Sequence, residues 1–283
     1  MPDSRISPPL RLLQLGRTLT GLRDAAGLTC SQVAAQLKWS PSKVSRLERG
    51  ANSYATAGDI NRLLDLYEVD DSSVRSKCQD LLRTGRITPP WEKHKRGLGG
   101  LVEYVMWETE ASLIQHWHPL LIPGQLQTEA YARAVITAGM PEPDEALLML
   151  KVRARIARQW ITSCDDPLYV HALIGEQALH QRVGGPEVMV QQLDKLVLDT
   201  GRPNITIQIV PQEAGVGLAS GFILLALPGF GETLFIEAGT GGIIDQGPRV
   251  AEFKRRFCYF HELALPADES ADLIMRIRRG VTC

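Results

Sequence analysis

A helical N-terminal domain followed by a domain of mixed helices and strands is the fold this chain predicts, on three observations. Two capped helix starts, at Thr29 and Ser40, lie eleven residues apart, each followed by a segment with one apolar face. A stretch rich in proline, glycine and basic residues, Gly85 to Gly100, then interrupts regular structure. Beyond it Ile205, Ile207 and Ile209 alternate with Thr206 and Gln208, the period of a strand. The expected class is an all-α helix-turn-helix N-terminal domain plus an α+β C-terminal domain, divided as residues 1–85, a linker at 86–100, and residues 101–283.

The first domain reads as five short helices. Leu12, Leu15, Leu19 and Leu22 recur at 3-4-3 spacing and end at Gly27, a C-cap residue. Thr29 with Gln32 three residues on is a capping-box start. Ser40 with Pro41 is an N-cap followed by proline at the first helical position, where its missing N–H costs nothing. At about 100° per residue, Val44, Leu47 and the stem of Glu48 point one way. Ser42, Ser45, Arg46 and Arg49 point the opposite way, with Lys43 on the flank. Thr56 to Asp59 opens a fourth helix with Ile60, Leu63, Leu64 and Tyr67 inward, and a fifth follows Asp71 and Ser72 with Val74, Cys78, Leu81 and Leu82 inward.

In the second domain, helical patterns at 101–112, 126–139 and 145–163 come first. Strands are expected at Tyr169–Ile174, around Ile205–Ile209, at Phe222–Leu227 and at Thr233–Glu237, the last two joined by a turn at Pro228–Gly231. Val250, Phe253, Phe257 and Phe260 form a helical stripe, and Pro266 to Glu269 starts a final helix. The glycines at 215–217 and 239–242 read as turns beside strands, lacking a dinucleotide fingerprint or phosphate-loop lysine. Arg153, Arg155 and Arg158 read as a solvated helix face.

The net charge of −1 conceals an asymmetry. Residues 1–53 hold eight basic and three acidic groups, a net +5, which leaves −6 for the remainder. Positive charge collects on the domain with the paired helices, as phosphate binding requires. The five cysteines are scattered and show no paired spacing, which argues against a disulfide framework or zinc site. No apolar run approaches the roughly 20 residues of a membrane helix, and no apolar signal segment follows Met1 to Arg5, so a soluble cytoplasmic protein is expected.

Caps, spacing, basic surplus and an outward Ser/Lys/Arg face together point to double-stranded DNA as partner. Arg46 has the fork that pairs with guanine O6 and N7, Ser42 reaches base edges or phosphate, and Lys43 suits a phosphate. Ser40, Ser45, Arg49, Asn52 and Lys38 complete the candidate DNA-binding set.

Residues 9–69, and above all Trp39-Ser40-Pro41-Ser42-Lys43-Val44-Ser45-Arg46-Leu47-Glu48-Arg49-Gly50, resemble the Xre class of lambda-repressor-like helix-turn-helix domains. The resemblance implies a phosphate-binding glutamine where this chain has Cys30, and a glycine in the turn where it has Lys38. A non-glycine there costs about 1 kcal/mol, which a phosphate contact by Lys38 offsets. It also implies an ion pair between Arg23 and Glu48. Farther on, Leu121 to Ala134, Arg182 to Glu187, Ile205 to Pro211 and Leu234 to Glu237 are similar to the C-terminal domain of WhiJ-like actinobacterial regulators, with Gln125 in a place more often leucine. That likeness implies regulation, often beside a small partner protein, and an antitoxin-like role in some members.

The expected function is a sequence-specific transcriptional regulator that binds an inverted repeat as a homodimer, its C-terminal domain dimerising and receiving a signal. The alternative is an antitoxin-like interaction module whose DNA binding is autoregulatory. An enzyme in the C-terminal domain ranks below both. His116 and His118 flank Trp117 with the spacing of two metal ligands, but no third ligand is near in sequence. Glu176, Glu237 and Glu262 stand apart, with no nucleophile elbow. No catalytic residue, cofactor or metal is therefore expected, and the identity of any small-molecule ligand is open.

Overall fold

The computed structural model describes residues 10–50, 55–86, 88–140, 142, 144–216, 220–238 and 241–281, in a chain that divides into two compact units, 1–88 and 89–283. The first unit is five helices: α1 Leu10–Ala25, α2 Cys30–Leu37, α3 Pro41–Glu48, α4 Ala57–Leu66 and α5 Ser72–Thr84. Their starts follow the caps in the sequence. Thr29 and Gln32 exchange both capping-box hydrogen bonds, Ser40 accepts from the Lys43 amide, Thr56 and Asp59 form a second box, and Asp71 caps α5. The expected apolar stripes close on one core that includes Leu12, Leu15, Leu19, Val33, Val44, Leu47, Ile60, Leu63, Cys78 and Leu82.

Two glycines bring α1 onto α3. A Cβ on Gly16 would lie 2.2 Å from the Glu48 carbonyl oxygen, and one on Gly50 would lie 2.6 Å from the Leu13 amide nitrogen. Gly50 also adopts a φ of +64°. Only the missing side chain permits so close a backbone approach.

The second unit is built on one six-stranded sheet ordered β3-β2-β1-β4-β5-β6. Its strands are β1 Leu113–His118, β2 Tyr169–Gly175, β3 Ile205–Val210, β4 Phe222–Leu227, β5 Gly231–Ala238 and β6 Gly241–Asp245. The first three run parallel, joined by helical crossovers, whereas β4, β5 and β6 pair antiparallel in sequence order. The helices are α6 Val102–Glu110, α7 Glu129–Ala138, α8 Glu145–Arg158, the short α9 Gln177–His180, α10 Pro186–Thr200, α11 Arg249–Leu263 and α12 Ala267–Gly280. On one sheet face Ile114, Val170, Ala172, Ile207 and Leu225 share a core with Tyr104, Tyr131, Leu193 and Ile274; on the other, Trp117, Leu173, Phe222 and Leu234 meet Val250, Phe257 and Phe260 of α11. Both faces are covered, so β4 reads as an unbroken apolar run, Phe-Ile-Leu-Leu-Ala-Leu.

Three features depart from the expectations. Residues 86–100 do not simply interrupt structure: Pro90–Leu101 forms 3₁₀ turns kinked at Gly99 within the second unit, with Trp91 and Leu98 buried in its core. Gly97 is there for close packing, since a Cβ would lie 2.2 Å from the Leu150 carbonyl oxygen of α8. Helices and strands interleave, with α10 between β2 and β3. Gly241 and Gly242 belong to strand β6, and a Cβ on Gly242 would fall 2.1 Å from the Phe235 ring.

Candidate nucleic-acid interface

Helix α3 is held from inside and bare outside. Val44 and Leu47 are buried, and Glu48 is tied to Arg23 of α1, whose guanidinium also donates to the Leu28 carbonyl oxygen at 2.7 Å. The hydrogen bond from Arg23 to Glu48 holds the guanidinium pKa above its ordinary range. Cys30 donates to the same carboxylate at 3.4 Å, and burial first, then Glu48, raises its thiol pKa. Cys30 is thus committed to the α3 anchor, away from the phosphate contact of the resembling class.

Ser42, Arg46 and Arg49 are exposed and Ser45 is half-buried on the opposite face. Among the described residues Arg46 makes no hydrogen bond or ion pair, so its fork is unspent; Arg49 Nε donates only to the Ser45 carbonyl oxygen at 3.2 Å. Ser40 accepts from the Lys43 amide at 3.2 Å and lies 3.0 Å from the Ser42 hydroxyl, so it shapes the helix start. Asn52 lies outside the described residues.

Lys43 is engaged within the unit. Its ammonium lies 2.7 Å from Asp59 Oδ1 and 3.9 Å from the centroid of the Trp39 ring. Burial pushes the Asp59 carboxyl up, but hydrogen bonds from Lys43 and Thr56 outweigh it and hold the pKa below the ordinary carboxylate value. Arg62 covers the same indole and donates to the Leu37 carbonyl oxygen at 2.8 Å. The Trp39–Asp59–Arg62 framework was not singled out from sequence, because its members come together only when α4 packs behind the turn. Lys38 closes α2 in the left-handed conformation, φ 55° and ψ 43°, with its side chain exposed. The Trp39 amide donates to the Ala34 carbonyl oxygen at 2.8 Å, a bond that completes this turn.

In the second unit the arginines of α8 differ from the expected solvated face. Arg153 is exposed, but Arg155 is half-buried and Arg158 is 6% exposed, beside Glu108. Helix α8 packs against the Pro90–Leu101 segment and α7, which cover its inner side, and Glu108 supplies the countercharge for Arg158. His116 is buried, with its ring centroid 5.4 Å from that of His118. Among the described residues no group of three or more His, Cys, Asp or Glu side chains is placed to hold a metal. Gly217, Gly239 and Thr240 of the expected glycine turns, and Cys283, lie outside the described residues.

The first unit is therefore a helix-turn-helix domain with an outward basic reading helix, and the chain is of the class that joins such a domain to an α+β body. A family model described as a helix-turn-helix domain matches residues 14–76. A second, described as a domain of unknown function (DUF5753), matches residues 101–276, more than half of the chain, and the protein belongs to that family. No curated protein and no solved structure matches the chain. The helix-turn-helix domain supports DNA binding and transcriptional regulation. Among the described residues no helix is long and apolar enough to cross a membrane.

Proposed function

We propose that this protein is a sequence-specific transcriptional regulator of the Xre type, resembling the WhiJ-like regulators, that binds an inverted repeat as a homodimer. The observation that carries this reading is Arg46: an exposed guanidinium without a partner among the described residues, on a helix whose other face is locked by Val44, Leu47 and the Arg23–Glu48 pair. Ser42, Ser45 and Arg49 share its face, and Lys38 and Lys43 stand at the helix entrance, where phosphates run beside a docked reading helix. One such domain covers too little DNA for tight specific binding, which is the argument for two copies. The second unit, on this reading, dimerises and receives a signal without catalysing a reaction.

Selection of bound duplexes from a randomised pool by the full-length protein tests the proposal. An inverted repeat is expected, with half-sites about 34 Å apart or a multiple of that, and a dimer in sedimentation of the complex. No enriched sequence, or a single asymmetric site bound by one copy, would overturn it. Copurification of a small protein needed for DNA binding would favour the antitoxin-like alternative.

A further inference from the structure

Six buried side-chain nitrogen and oxygen atoms lack a hydrogen-bond partner among the described residues, and five of them belong to four residues of the second unit. They are Glu108 Oε2, both ring nitrogens of His116, Gln125 Oε1 and Arg158 Nε. The owners come from α6, β1, the turn after β1 and the end of α8, and each is at most 6% exposed. Folds satisfy buried polar groups, because each one left unanswered is costly. Their concentration in one place points to something the protein binds.

Glu108, Gln125 and Arg158 form one connected set, and His116 lies within the electrostatic reach of Arg158. Glu108 Oε1 accepts from the Tyr104 hydroxyl at 2.9 Å and from Gln125 Nε2, which turns Gln125 Oε1 and Glu108 Oε2 to the unanswered side. Arg158 Nε lies 3.7 Å from Glu108 Oε2, an ion pair beyond hydrogen-bond reach, and its guanidinium donates no hydrogen bond among the described residues. Gly124 makes room for it, since a Cβ there would lie 2.3 Å from Arg158 Nη2. Arg155 faces the same region and is steadied by Gln127 Oε1 at 3.0 Å. Desolvation, then the charges of His118 and Arg158, keeps His116 neutral, so it offers one donor and one acceptor.

The unanswered groups define the ligand. Arg158 carries a planar fork of donors, which matches a carboxylate bidentately, and a His116 N–H adds one more. Glu108 Oε2 and Gln125 Oε1, on two side chains that are hydrogen-bonded to each other, are acceptors only and require a donor from the ligand; when Arg158 turns to an incoming anion, Glu108 needs a new cation. We infer that this buried constellation is a binding site for a free amino acid, whose carboxylate is taken by Arg158 and His116 and whose ammonium is taken by Glu108 and Gln125. Inorganic phosphate satisfies the donors, but its dianion brings a single P–OH donor for two acceptors, supplies no cation and sets two negative charges near Glu108. The inference rests on the signal-receiving reading of this unit only for its regulatory consequence; binding itself is measured without DNA.

The test is calorimetry and thermal melting of the full-length protein with each of the twenty L-amino acids, and with acetate and inorganic phosphate as anion controls. One or a few amino acids are expected to bind and to raise the melting temperature, while both controls have no effect. Arg158→Lys keeps the charge but loses the fork, and Glu108→Gln loses the cation partner; each should weaken binding at least tenfold. Should either fail to fold by circular dichroism, Gly124→Ala, whose methyl displaces the Arg158 guanidinium, is the second variant and should weaken binding as well. No binding by any amino acid, equal binding of acetate or phosphate, or full binding by the folded variants would overturn the site. An amino acid that binds free and DNA-bound protein equally would uphold the site while removing its signalling role.

Discussion

Arg23 and Glu48, 25 residues apart in the chain, are joined by two hydrogen bonds, Nε to Oε1 at 2.6 Å and Nη2 to Oε2 at 3.3 Å. The side chains are 13% and 9% exposed. The pair fixes α1 to the last turn of α3, so the orientation of the reading helix depends on a contact that faces away from DNA. Glu48→Ala strands a largely buried guanidinium and should cost about 2–3 kcal/mol. Urea unfolding of residues 1–88 measures it, and a cost under about 0.5 kcal/mol would show that the helices hold without the pair.

Arg46 and Lys43 should separate specificity from affinity. Arg46→Ala is expected to cost about 1–3 kcal/mol on the preferred site and to flatten preference at one base position. Asp59→Asn should act oppositely: it releases Lys43 from its 2.7 Å ion pair and removes a negative charge near the phosphates, so affinity rises for all sequences alike. Fluorescence anisotropy on matched and scrambled duplexes separates the two patterns.

Lys38 sits in a left-handed turn that favours glycine. Lys38→Gly should relieve about 1 kcal/mol of backbone strain, in part offset by the greater freedom of the unfolded chain. It should still weaken binding to every duplex and lower the salt slope by about one unit. A variant at least as stable as the parent, with unchanged DNA affinity, would remove Lys38 from the interface.

Acid should destabilise the second unit through its buried histidines. Desolvation, reinforced by His118 and Arg158, lowers the His116 pKa far below its ordinary 6.5, and burial together with Arg155 and Arg158 holds His118 down to about 4. The unfolded chain takes up protons at these positions near pH 6.5 while the folded chain does not. Stability is therefore intact above that pH and falls as pH drops through 6.5 toward 4. Urea midpoints at about pH 7.5 and about pH 5 should differ in that sense, and His116→Gln should shrink the difference.

Truncation tests the unit boundary. Residues 89–283 keep Trp91, whose indole N–H donates to Thr109 Oγ1 at 2.9 Å, and Leu98, both in the core. A fragment of residues 101–283 loses both side chains and should melt several degrees lower, consistent with about 3–5 kcal/mol for removal of a buried tryptophan. Equal melting temperatures would return 89–100 to the status of a linker.

The helices of the first unit and their order were legible because each is specified locally. A cap such as Thr29, Ser40, Thr56 or Asp71 and an apolar stripe at helical period need only near neighbours in the chain. The outward face of α3 followed from the same geometry, as did strands β2 to β5, approximately. The sequence did not disclose what depends on contacts between distant segments. Gly97 and Gly242 looked like loop glycines, yet one admits the Leu150 carbonyl and the other the Phe235 ring. Lys43 looked like a free phosphate ligand until α4 set Asp59 beside it. Arg158 looked solvated on a helix wheel, which assigns a residue to a side of its own helix but not to the inside of a domain. Tertiary packing made that assignment by bringing α6, β1 and α8 together, and it set Glu108, His116, Gln125 and Arg158 in one buried place. Helical period and capping are short-range properties of a chain; burial of a particular charge is a property of the whole fold, because only the assembled surroundings remove water from it.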